Sequence, residues 1–165
     1  MDILHYLKSQ HDSIRLMVAN LQDAKTAKDR KLLLEPFVRA TQVYLTLERD
    51  FLYPELTGLF AASEALVSAS QAHSRVVDKS LKSLVNVAIK QAGDTAAFDS
   101  RLRVVINAIA ALFEQEEQHL LPKMRDFIRT EDREDLGLVF ADAEAEVLAA
   151  LDSDPEPVAL RRKRA

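Results

Sequence analysis

Apolar residues recur three and four positions apart through four long stretches of this chain, the period of an amphipathic helix, and the breakers gather between them. The first stretch predicts a helix from about Ile3 to Asp23, with Asp2 as N-cap and Leu4, Leu7, His11, Ile14, Val18 and Leu21 on one stripe. After a polar link from Lys25 to Arg30, a second helix gathers around Pro36, a residue suited to a first turn. It aligns Phe37, Thr41, Tyr44, Leu45, Glu48, Phe51 and Leu52. Thr57-Gly58 ends it, and a third helix from about Ser63 to Gln91 carries a seam of Leu66, Ser70, His73, Val77, Leu81, Leu84 and Ala88. Gly93-Asp94 marks the next break. The fourth helix turns Leu102, Val105, Ile109, Leu112, Phe113, Glu116, His119, Leu120 and Met124 inward. A shorter fifth, from about Glu131 to Leu151, is amphipathic through Leu136, Val139, Phe140, Ala143 and Val147.

Short links between long amphipathic helices predict an all-α fold, an up-down-up-down four-helix bundle with an additional short C-terminal helix. The domain is expected to span residues 1–151. From Asp152 on, Pro155, Pro157 and the run Arg161-Arg162-Lys163-Arg164 read as a disordered basic tail, residues 152–165. At 165 residues and 48% hydrophobic, the chain is long enough for one domain with a sizeable core, and three glycines and no tryptophan fit helix better than sheet. The formal charge of −4 becomes −8 once the four tail cations are set aside, which argues against a nucleic-acid partner. The start Met-Asp-Ile-Leu-His-Tyr lacks the pattern of a signal peptide and no stretch has transmembrane length, so no membrane partner is expected and the cytoplasm is the default location. Cysteine is absent, so any metal must be held by nitrogen and oxygen ligands.

Four polar residues interrupt the apolar seams in the order His11, Glu48, His73, Glu116, and each glutamate stands six residues before a proline, Pro54 or Pro122. A lone core histidine is usually just hydrogen-bonded, and a lone inward glutamate usually snorkels from a helix end. Four of them at similar depth on successive helices raise a different prospect. Buried carboxylates are costly unless protonated, hydrogen-bonded or bound to a cation, and two imidazoles with two carboxylates suit Fe, Mn or Zn. Their combined −2 matches one divalent ion or part of a bridged pair. No phosphate loop, dinucleotide fingerprint, nucleophile elbow or zincin motif is present.

With these residues in place, the chain resembles the hemerythrin-like, HHE cation-binding domain family over about residues 3–150. That resemblance implies a helical bundle holding non-haem iron, with Glu48 and Glu116 as carboxylates bridging two irons and His11 and His73 as terminal ligands. It implies a role in O2, NO, peroxide or iron sensing, binding or redox chemistry. Two positions depart from the family: its second-helix histidine falls on Tyr44 and its fourth-helix histidine on Leu112. Tyr44, one turn before Glu48, is open to two roles, phenolate ligand or hydrogen-bond donor to Glu48. His119, three residues after Glu116, is a candidate replacement ligand, while Glu114 and Glu117 are expected to face solvent. The competing reading is a metal-free bundle serving as an interaction or regulatory module, with Glu48–His73 and Glu116–His11 hydrogen bonds in place of the metal. A third is a redox enzyme in which Tyr44 tunes the iron.

Overall fold

The computed structural model describes residues 1–90 and 95–153. The expected Gly93-Asp94 break and the tail from residue 154 lie outside the described residues. Helix α1, Ile3–Asp23, starts where expected because the Asp2 carboxylate accepts the Leu4 N–H at 2.8 Å, filling one of the open donors of a first turn. Arg133 reaches the other Asp2 oxygen at 2.8 Å and ties the C-terminal helix to this cap.

Helix α2, Ala27–Leu47, begins well before Pro36, contrary to the sequence expectation. Thr26 is the N-cap, accepting the Asp29 N–H at 3.0 Å and donating to the Asp29 carboxylate at 2.7 Å. That local exchange starts the helix earlier than the proline does. Pro36 then sits inside the helix on its exposed side, where the carbonyl it cannot serve is open to water.

Both glutamates that precede the prolines open π-helical turns, Glu48–Leu52 and Glu116–Leu120, each running on into a short helix, α3 (Tyr53–Leu56) or α6 (Leu121–Phe127). The Tyr53 N–H donates to the Glu48 carbonyl and the Leu121 N–H to the Glu116 carbonyl, five residues back. The cause is the proline one residue later. In a regular α-helix the rings of Pro54 and Pro122 would press on the carbonyls of Asp50 and Gln118, and neither proline has an N–H to give. Widening the turn by one residue relieves both problems. The two Glu-x5-Pro segments are therefore a backbone signature as well as a chemical one.

Gly58, at φ +81°, turns the chain after α3, and the Ser63 hydroxyl accepts its N–H at 3.0 Å ahead of α4, Ser63–Lys90. Helix α5, Thr95–Gln115, follows, and α7, Thr130–Ser153, is longer than predicted. Helix α1 packs on α2, α4 on α5 and α2 on α4, while α7 lies across α1 and α2. Gly137 makes that last contact possible: a Cβ there would stand 1.8 Å from the Met1 carbonyl oxygen. The result is an all-α helical bundle, with no strand among the described residues and no described helix long and apolar enough to cross a membrane. Its core runs through Leu7 and Ile14, Phe37 and Leu47, Val77 and Leu81, Val105 and Phe113, and Phe140.

Candidate functional site

The polar interruptions of α1 and of the two π turns meet in the middle of this core. His11, Glu48 and Glu116 are each no more than 1% exposed. His11 Nε2 lies 3.1 Å from Glu116 Oε2 and 2.7 Å from the Tyr44 hydroxyl, and Tyr44 donates to the same Glu116 oxygen at 2.6 Å. The Tyr53 hydroxyl donates to Glu116 Oε1 at 3.1 Å and lies 3.2 Å from the Ser74 hydroxyl, which in turn donates to Glu48 Oε2 at 3.4 Å. Glu48 is also in hydrogen-bonding reach of Glu116. Its Oε1 is buried and has no hydrogen-bond donor among the described residues, and the hydroxyl of Ser70, one turn before Ser74, is likewise buried without a partner among them.

The imidazole is held on every side. It stacks on Phe113 with centroids 3.9 Å apart and planes 17° apart, and meets Tyr44 edge-on at 5.4 Å. Its outer nitrogen, Nδ1, is 2.7 Å from Glu117 Oε1, which also accepts from Arg15 at 2.8 Å. Glu117 is ionised, because the hydrogen bonds from Arg15 and His11 outweigh the effect of partial burial and hold it below the usual carboxylate range. An ionised carboxylate only accepts, so Nδ1 carries a hydrogen.

Burial, reinforced by the charge of Glu116, pushes Glu48 well above the ordinary carboxylate range. Burial acts on Glu116 too, but hydrogen bonds from Glu48, His11 and Tyr44 overcome it and leave Glu116 below that range. The pair therefore holds one proton on Glu48 and one charge on Glu116, the arrangement two adjacent buried carboxylates adopt. Burial and the neighbouring carboxylates push Tyr44 and Tyr53 upward, so both remain protonated donors.

Of the six residues singled out in the sequence, four come together: His11, Tyr44, Glu48 and Glu116. Tyr44 donates to Glu116 at 2.6 Å with Glu48 also within its reach, and Glu48 finds Ser74 where His73 was expected. His73 is half-buried and has no hydrogen-bond partner among the described residues, because the inward line of α4 runs through Ser70, Val77 and Leu81 and leaves His73 at its edge. His119 is exposed. In an α-helix it would lie about 60° from Glu116, but the widened π turn carries it further round. The same turn brings Glu117, expected in solvent, onto His11. Tyr53, Ser74, Glu117 and Arg15 are site residues the sequence did not single out, and the proline that forces each π turn was the available signal for Tyr53 and Glu117.

An α-helical bundle with a buried imidazole, two buried carboxylates and two phenols at its centre is the class of protein the fold and the site define. A family model described as the hemerythrin HHE cation binding domain matches residues 2–124, about three quarters of the chain, and the chain belongs to that family. No curated protein and no solved structure matches it. Members of this family bind cations, so the donor set is the relevant test. A pair of metals does not fit the side chains as placed: Leu112 is apolar and buried, His73 stands apart, and the α4 side offers serine hydroxyls where a second ion would need imidazole or carboxylate donors. As the side chains stand, no three histidine or carboxylate groups among the described residues are arranged to hold an ion. His11 Nε2, the carboxylates of Glu48 and Glu116 and the Tyr44 oxygen nonetheless lie together in the core.

Proposed function

We propose that this chain is a cation-binding domain of the hemerythrin family that takes one ion of the iron class, with manganese or zinc as alternatives, in place of the proton shared by Glu48 and Glu116. His11, Glu48 and Glu116 hold it and Tyr44 stands beside it. The observation that carries this reading is the orientation of His11: its outer N–H is engaged by a carboxylate and its other nitrogen faces the buried Glu116 carboxylate and the Tyr44 hydroxyl, the support a metal-binding histidine takes from its surroundings. The donorless Glu48 oxygen agrees with it. Binding would also displace the hydrogen that Nε2 gives Glu116, so two protons leave as two positive charges arrive and the buried carboxylates stay compensated.

A bound iron would supply redox chemistry and open positions for a small ligand such as O2, NO or peroxide. The chain's own residues bind and orient the ion and keep bulk water out. With few imidazoles, the site suits sensing or redox reaction better than reversible oxygen carriage. Anaerobic Fe(II) loading of chelator-treated protein, followed by metal analysis, should give about one equivalent per chain and a melting temperature that rises with free metal. Less than about a tenth of an equivalent of Fe, Mn or Zn overturns the reading, and about two equivalents overturn its single-ion form.

The second reading is a metal-free bundle acting as an interaction or regulatory module. It is favoured by how far the cluster satisfies itself, since Glu116 already receives Tyr44, Tyr53 and His11. In that case Fe, Mn and Zn leave the melting temperature unchanged.

A further inference from the structure

We infer that Glu117, pinned by Arg15, is a positioning residue that fixes which atom His11 presents to the buried centre. Phe113 sets the plane of the imidazole by stacking, but stacking does not distinguish a ring from the same ring turned over about its Cβ–Cγ bond. That choice falls to hydrogen bonds. Two consecutive glutamates at the π turn take opposite sides of the ring: Glu117 meets Nδ1 at 2.7 Å and Glu116 meets Nε2 at 3.1 Å. Turned over, the ring would set a C–H against the Glu117 carboxylate and lose the bond at Nδ1.

Glu117 can make this choice because it is itself held. Arg15 donates to the same Oε1 at 2.8 Å, also bonds Asp12 at 3.2 Å, and its guanidinium carbon lies 5.2 Å from the centre of the Phe113 ring. The Glu117 side chain is a quarter exposed and that of Arg15 is 44% exposed, so an anchor at the surface sets the face of a histidine that is wholly buried. With Nδ1 held by Glu117, the inward Nε2, which donates to Glu116 in the metal-free protein, is the nitrogen whose lone pair can meet a cation once that hydrogen leaves. This role for the lone pair rests on the cation-binding reading, whereas the orientation of the ring does not.

The test therefore has two arms. In chelator-treated protein, long-range 1H–15N correlation of the His11 ring should show one ring state with Nδ1 protonated. Glu117→Ala should shift the Nδ1 signal and broaden or double the ring resonances, and Glu117→Gln, which keeps an oxygen acceptor in the same place, should restore a single state. An unchanged Nδ1 signal in Glu117→Ala, or a Glu117→Gln spectrum as disturbed as that of Glu117→Ala, overturns the inference. In the second arm, calorimetric titration with Zn(II) alone should show affinity weakened roughly 10- to 100-fold in Glu117→Ala and largely recovered in Glu117→Gln. Equal zinc affinity in wild type and Glu117→Ala also overturns it. If wild type takes no metal, the cation-binding reading falls and the spectra of the metal-free protein still decide whether Glu117 positions His11.

Discussion

Tyr44→Phe removes one oxygen from a residue that is 2% exposed and leaves the ring in place, so it reads the buried hydrogen bonds of one hydroxyl, that with His11 at 2.7 Å and above all that to Glu116. That bond runs 2.6 Å to Glu116 Oε2, and Glu116 is the charged member of the carboxylate pair. Hydrogen bonds to charged groups contribute about 1.5–3 kcal/mol. Here the loss is softened because His11 Nε2 still reaches the same oxygen at 3.1 Å, which places the expected cost at about 2 kcal/mol. Tyr53→Phe should cost less, about 1 kcal/mol, since its bond to the other Glu116 oxygen is longer at 3.1 Å. Urea unfolding of chelator-treated protein measures both, provided the denaturant slope is unchanged. A double-mutant cycle of Tyr44→Phe with Glu116→Gln isolates the charge-assisted part, with an expected coupling of about 1 kcal/mol or more. If Tyr44→Phe falls within about 0.5 kcal/mol of wild type, or the two substitutions add within that margin, Glu116 is not the charge that Tyr44 serves.

Glu48→Gln should change how stability depends on pH. The folded pKa of Glu48 is raised by burial and by Glu116, so its contribution is complete below the ordinary carboxylate range and is lost as pH rises through the folded value. Glutamine stays neutral throughout, so the variant should gain on wild type as pH rises from the ordinary carboxylate range toward neutrality, and parallel stability–pH curves would refute the shared proton. Leu112→His places an imidazole one turn before Glu116. It should destabilise chelator-treated protein by about 1–3 kcal/mol and recover with added Zn(II) or Fe(II); a variant that stays destabilised with metal present shows that position 112 does not face the centre. Gly137→Ala should cost about 1–3 kcal/mol in a thermal melt, because its Cβ would meet the Met1 carbonyl at 1.8 Å, and an unchanged melting temperature would mean that the N-terminus yields freely.

By itself the sequence determined the helices and most of their buried faces, because a 3.6-residue period and a few caps act within one or two turns. Asp2 and Gly58 are punctuation of this kind, and so is the recognition that His11, Glu48 and Glu116 stand where leucines would. Local rules failed where two local signals competed. Thr26 began α2 before Pro36 could, and the prolines after Glu48 and Glu116 widened the backbone. That widening carried His119 outward and brought Glu117 inward. On α4 the choice between His73 and the Ser70–Ser74 line is about 100°, one residue's rotation, which the neighbouring helices set. Only the tertiary structure could bring Glu48 against Glu116, 68 positions apart, and aim Tyr44, Tyr53 and His11 at the second of them. Desolvation and the field of a neighbouring charge depend on distances between helices, so which carboxylate holds the proton and which the charge is decided by packing.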